Sequence, residues 1–162
     1  MVRVFIVYGG NEGERIGRQI ETYLKSNNIG AFLASPKSPE ILPSEDFQTR
    51  IDCELKNANL AIIVITDGIH SSDPALKEID RILDELRYPY IPFVKNGVTL
   101  PTRLEGQWHV PFENNSLTRK KLIQLELKMW RYYDRWKELQ TIQKPENEVI
   151  IPKKIYGLEV QQ

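Results

Sequence analysis

Leu60-Ala61-Ile62-Ile63-Val64-Ile65 decides the fold. It is the most strongly apolar run in the chain, with no polar residue at any alternate position. A strand with one face in water alternates apolar and polar residues; a strand covered on both faces does not. This run therefore predicts the central strand of a parallel sheet, ended by Thr66-Asp67-Gly68.

Outward from that strand the same grammar repeats. Val4 to Tyr8 is a short β-branched and aromatic run closed by Gly9-Gly10. Helical spacing follows from Glu14, with Ile16, Ile20, Tyr23 and Leu24 on one face and Asn27, Asn28 and Gly30 as the stop. Ala31 to Ala34 predicts a second strand. Ser35 to Pro43 holds three prolines in nine residues, which precludes both helix and sheet ladder and predicts a stiff loop. Ser44 is placed to cap the next helix, whose inner face is Phe47, Ile51, Leu55 and Ala58.

Beyond the central strand, Asp73-Pro74 predicts a cap followed by proline in the first turn. Leu76, Ile79, Ile82, Leu83 and Leu86 are that helix's inner face. Tyr90 to Val94 and Trp108 to Phe112 supply the fourth and fifth strands. Strand and helix in regular alternation predict an α/β fold: a flavodoxin-like three-layer sandwich with a five-stranded parallel sheet in the order 2-1-3-4-5. In such sheets ligands bind beyond the carboxyl ends of the strands, where Tyr8 to Asn11, Ser35 onward and Thr66 to Asp73 fall.

The last helix is predicted from Ser116 to about Gln143, a stretch without Gly or Pro. Leu122, Leu125, Met129, Tyr132, Trp136 and Leu139 recur at heptad-like spacing, and Ile123, Leu127 and Trp130 form a second stripe. One stripe can seat the helix while the other meets a partner. The expected division is a domain over 1–143, including this helix, and an arm over 144–162.

Composition narrows the function classes. With 41% hydrophobic and 27% charged residues the chain is globular in type, and 162 residues suit one domain. Basic and acidic residues balance at 22 each, which argues against nucleic acid as a partner. A single cysteine, Cys53, excludes an internal disulfide, and with only His70 and His109 beside it Cys and His cannot build a closed zinc site. No window reaches the length of an apolar membrane span and the opening run is too short for a signal peptide, so the expectation is a cytoplasmic protein with no membrane partner.

Glu78 is the candidate for chemistry. At ~100° per residue it sits about 40° outside Ile82, on the border of the apolar face and one turn into the helix that follows the central strand. A carboxylate there is partly desolvated beside a ligand crevice, a setting in which pKa values are tuned. The plain alternative is an ordinary helix glutamate paired with Lys77 or Arg81.

In order and spacing these pieces resemble the Toll/interleukin-1 receptor (TIR) domains, especially their prokaryotic-type branch. Val4 to Tyr8 is similar to the opening strand motif, the proline-rich stretch to Phe47 to the BB loop, and Ala58 to Ile65 to the central strand. Ser71-Ser72-Asp73-Pro74-Ala75-Leu76-Lys77-Glu78 falls on the family's Ser-Ser-x-Trp-Cys-x-x-Glu segment. The resemblance implies that Glu78 is the catalytic residue of an NAD-cleaving enzyme, a hydrolase or ADP-ribosyl cyclase in defence or stress signalling. It further implies that Tyr8, Gly9, Gly10, Asn11, Phe47 and Ser71 surround NAD, which is substrate rather than cofactor, with no metal. Where some active relatives carry basic residues this chain has Gly9-Gly10, which leaves the pyrophosphate to backbone amides and to Arg15 or Arg18. Pro74-Ala75 replaces Trp-Cys. The resemblance also admits a noncatalytic adaptor acting through self-association or another TIR protein, and the related fold of nucleoside deoxyribosyltransferases.

Overall fold

The computed structural model describes residues 2–35, 46–113 and 116–143. The Pro36 to Pro43 loop, the proposed Ser44 cap and the 144–162 arm lie outside the described residues. Five strands, β1 (Arg3–Val7), β2 (Gly30–Leu33), β3 (Leu60–Ile65), β4 (Tyr90–Lys95) and β5 (Val110–Phe112), form one sheet in the order β2-β1-β3-β4-β5. Every pairing is parallel, with Ile6 opposite both Leu33 and Ile62, and Val64 opposite Phe93. The central strand, its neighbours and the sheet order match the sequence reading.

Both faces of β3 are covered because all six of its residues are buried. On one face Phe5, Val7, Ala61, Ile63 and Ile65 pack with Ile51 and Leu55 of α2 (Phe47–Asn57) and with Ala75 and Ile79 of α3 (Asp73–Arg81). On the other, Ile16, Ile20 and Leu24 of α1 (Gly10–Ser26) are buried, and Gly17 lets that helix come down against Leu33 and Ile6. α1 and α4 (Arg119–Gln143) are joined by a 2.6 Å hydrogen bond from the Tyr23 hydroxyl to Glu126 Oε1.

Several boundaries differ from expectation for local reasons. α1 begins at Gly10 rather than near Glu14, because Gly10 (φ 81°) turns the chain straight from β1 into the helix. Asn11 therefore stands in the helix's first turn, exposed, and not in a rim loop. β5 is shorter than Trp108 to Phe112: it starts at Val110, and Trp108 is exposed. At this edge Pro111 has no N–H to offer, so little ladder can form. Asp73 is not the cap of α3. A 3₁₀ turn over Asp67–Ser71 brings Ser72 to that position, where its hydroxyl accepts from Ala75 N–H at 3.3 Å. The helix then continues as a π turn, Ile82–Leu86.

Residues up to Leu127 form one compact unit that holds the sheet, α1 to α3 and the opening of α4. α4 itself has 25 residues, about 37 Å at ~1.5 Å per residue. The part from Lys128 belongs to a second unit, where Tyr133 stacks on Trp136 at 6.2 Å and meets Trp130 edge-on at 6.4 Å. Tyr133 belonged to neither predicted stripe. Leu139, placed in the seam, is 38% exposed.

Candidate functional site

A cleft of about 520 Å³ opens at the carboxyl ends of β1 and β3, between α2 and α3. Its rim at β1 is Tyr8, Gly9 and Gly10, and its far wall is Ser72 to Ala75 at the entry to α3. α2 contributes Phe47, Gln48, Ile51, Asp52 and Leu55, an i, i+1, i+4, i+5, i+8 set that shares one helix side. α3 contributes Lys77, Glu78 and Arg81.

Of the seven residues expected at the site, Tyr8, Gly9, Gly10, Phe47 and Glu78 line this cleft. Asn11 and Ser71 do not; both are exposed, and Ser72 takes the place expected of Ser71. The reason is the 3₁₀ turn, which directs Ser72 beneath the start of α3 and leaves Ser71 on its outer side. Neither Arg15 nor Arg18 lines the cleft; Arg18 is paired with Glu14 at 3.1 Å. The cations that do are Lys77 and Arg81.

The Gly9-Gly10 pair has a packing cause. A Cβ on Gly9 would lie 2.8 Å from Ile69 Cα and 2.9 Å from the Gly68 carbonyl oxygen. The two turns at the rim thus meet backbone to backbone, and no larger side chain fits between them. Thr66, fully buried, reaches the Gly9 carbonyl from its hydroxyl at 3.4 Å.

Glu78 carries the electrostatic anomaly of the cleft. Its carboxylate has no hydrogen-bond or ion-pair partner among the described residues. Burial pushes its pKa from 4.5 up to about 8; Arg81 opposes that shift and Asp52 adds to it. Arg81 does not neutralise it. Its Nη1 donates to Asp52 Oδ1 at 3.2 Å and its Nε to Glu85 Oε1 at 3.2 Å. Across the cleft the Tyr8 hydroxyl donates to the Ala34 carbonyl at 2.5 Å, and burial, then Glu14, push it up to about 12. Tyr8 thus offers an aromatic face while its proton stays on the oxygen.

The other reactive side chains stand elsewhere. His70 bonds the Thr99 carbonyl through Nε2 at 2.7 Å, and His109 lies 3.4 Å from the Gln107 carbonyl. Cys53 is exposed. Among the described residues no cluster of His, Cys, Asp and Glu fits a metal ion, and no helix is long and apolar enough to cross a membrane. Asp52 escaped the sequence reading, and Lys77 and Arg81 entered it only as possible partners of Glu78. Asp52 shares a helix side with Ile51 and Leu55, and Arg81 follows Lys77 at i+4, so helical spacing held a signal for both.

Solved structures share this fold at low identity. The TIR domain of the Toll-related receptor TRR-2 from Hydra magnipapillata superposes with a TM-score of 0.61 at 16% identity, covering 83% of this chain and 99% of that one. The TIR domains of the activated Roq1 resistosome, which directly recognises the pathogen effector XopQ, give 0.52 at 14% identity over 88% of this chain and 85% of that one. A 2-deoxyribosyltransferase from Bacillus psychrosaccharolyticus gives 0.53 at 14% identity over 75% and 96%. A search of curated proteins found no match. A family model described as a TIR domain matches residues 4–139, most of the chain, and this protein therefore belongs to the TIR domain family.

Proposed function

We propose that this TIR domain cleaves NAD, with Glu78 as the catalytic residue. One observation carries the reading: an acid without a partner among the described residues, desolvated enough to reach about 8, stands in the cleft at the sheet's carboxyl edge. Desolvation opposes its ionisation, so the arrangement is costly for a purely structural glutamate and useful for a reactive one.

The chemistry suits a single carboxylate. The bond between ribose C1′ and the nicotinamide nitrogen breaks, and its electron pair goes to that nitrogen. The pyridinium charge is cancelled and nicotinamide leaves neutral, so no general acid is required. Positive charge builds on the ribose as an oxocarbenium, and ionised Glu78 in a low-dielectric cleft stabilises it. A bound pyridinium cation also favours the ionised form, drawing the carboxyl's midpoint down. Addition of water at C1′, with loss of its proton, completes hydrolysis; attack by a nitrogen of the adenine would close a cyclic product. Phe47 and Tyr8 offer aromatic faces for the bases, while Lys77 and Arg81 are the cleft cations that could meet a pyrophosphate. The test is release of free nicotinamide from NAD by purified protein, measured concentrated and dilute.

A second reading is a noncatalytic adaptor that works through TIR–TIR contacts. It is favoured by the apolar side chains α4 leaves in water: Leu127 is 63% exposed and Ile142 70%. The resistosome neighbour contains TIR domains in an assembly, which makes self-association a natural expectation for this chain. A defence or stress role goes with the NAD-cleaving reading, and a signalling role with the adaptor. The likeness to a deoxyribosyltransferase is one of fold; a nucleoside supplied in place of NAD separates that activity from NAD cleavage.

A further inference from the structure

We infer that Asp52 is a positioning residue for Glu78: from α2 it holds the Arg81 guanidinium away, and so leaves the Glu78 carboxylate facing the cleft without an ion-pair partner. The catalytic consequence rests on the NAD-cleaving reading; the geometry does not.

Arg81 follows Glu78 by three residues on one helix, a spacing at which oppositely charged side chains meet. Glu78 is therefore its nearest natural acceptor. Instead one nitrogen of the fork is taken by Asp52 and another by Glu85, each at 3.2 Å. Glu85 lies one turn further along and holds the guanidinium from outside. Asp52 is the acceptor supplied by another element, and it lines the same cleft as Glu78.

The titratable and charged groups around Glu78 come from four places. Tyr8 follows β1, Asp52 faces Glu78 from α2, Asp73, Lys77 and Arg81 share α3, and Tyr88 precedes β4. Tyr88 is fixed by donating to the Leu55 carbonyl at 2.9 Å. Only the Asp52–Arg81 contact joins a cleft anion on α2 to a cleft cation on α3 among these groups. Loss of the Asp52 charge has two consequences of one sign. A nearby negative charge disappears, and the freed side of Arg81 turns to Glu78. Both favour the ionised carboxylate, and the new pair occupies the charge that an oxocarbenium would need.

The experiment is a ¹³C NMR titration of the Glu78 carboxyl in the full chain as wild type, Asp52→Asn, Arg81→Gln and the double variant, with nicotinamide release followed in parallel. In Asp52→Asn the Glu78 midpoint should fall by about one unit, a roughly tenfold change in proton affinity. Adding Arg81→Gln should return most of that shift, and Arg81→Gln alone should leave the midpoint at or above the wild-type value. Nicotinamide release by Asp52→Asn should lose about tenfold in kcat, with an acid-shifted pH–rate profile. Asp52→Glu, which restores the charge, should recover part of it. An unchanged Glu78 midpoint in Asp52→Asn, an undiminished shift in the double variant, or a fall in Arg81→Gln alone overturns the inference. If wild type releases no nicotinamide, the enzymatic reading fails while the titration still decides the role of Asp52.

Discussion

Gly9 and Gly68 meet backbone to backbone: a Cβ on Gly68 would lie 2.8 Å from the Gly9 carbonyl oxygen. This contact locks the turn after β1 to the turn after β3, and so sets where α3, and Glu78 upon it, leaves the sheet. Gly68→Ala must push the two turns apart, since backbone cannot yield as a flexible side chain can. A stability loss of about 2 kcal/mol is expected by urea denaturation, with a fall in any cleft activity that Gly97→Ala, outside the cleft, does not show. Gly68 is not at positive φ, so its variant reports the clash alone, whereas Gly97, with φ 87° and nothing within 4 Å, reports backbone strain without a clash.

Ser72 supports the same helix from its start. Its hydroxyl accepts from Ala75 N–H, and Ser72→Ala removes that acceptor. The expected cost is about 1 kcal/mol, with Ser72→Asp recovering most of it because aspartate caps as well and suits the helix dipole. Thermal melts of the two variants check this. Equal stability of Ser72→Ala and wild type would mean the cap contributes nothing.

Glu78 should make the fold sensitive to pH in a definite direction. Its carboxyl binds a proton more tightly folded than unfolded, with midpoints at about 8 and 4.5. Between those values the native state holds more protons, so stability from this group is full below the lower midpoint and lost as pH rises through the upper one. Glu78→Gln removes the titration. The variant should match wild type near pH ~4.5 and exceed it above pH ~8 by on the order of 3 kcal/mol, read from urea melts across that window. A difference that is flat with pH would contradict a desolvated Glu78.

The fold was legible in the sequence because burial on both faces leaves an unambiguous trace. Leu60 to Ile65 has no polar residue, and each flanking helix carries its apolar stripe at 3.6-residue spacing. Glu78 was legible for the same reason, as a charge on the edge of such a stripe. What could not be read were features fixed by tertiary contact. Gly9-Gly10 looks like a strand stop or a phosphate turn until Gly68 is seen against it. Ser71 and Ser72 are indistinguishable in the chain, and the 3₁₀ turn alone decides which one caps α3. Asp52 and Arg81 stand 29 residues apart, and each has a nearer partner in sequence.

The C-terminal helix offers a test of assembly. Exposed Leu139 and Ile142 lie three residues apart, on one side of α4. If that side mediates self-association, Leu139→Glu with Ile142→Glu should give a folded monomer in light scattering at ~100 μM while wild type is larger. Wild type running as a monomer at that concentration would leave α4 with no role in self-association.

The central claim is decided by nicotinamide release from NAD in wild type and Glu78→Gln, at matched concentration and near pH ~8, where the wild-type carboxyl is about half ionised. Wild type should release nicotinamide, and Glu78→Gln should be at least ~100-fold slower with its fold intact by circular dichroism. Turnover by the variant at the wild-type rate would contradict the assignment of Glu78, and a wild type that leaves NAD untouched at every concentration would contradict the enzymatic reading itself.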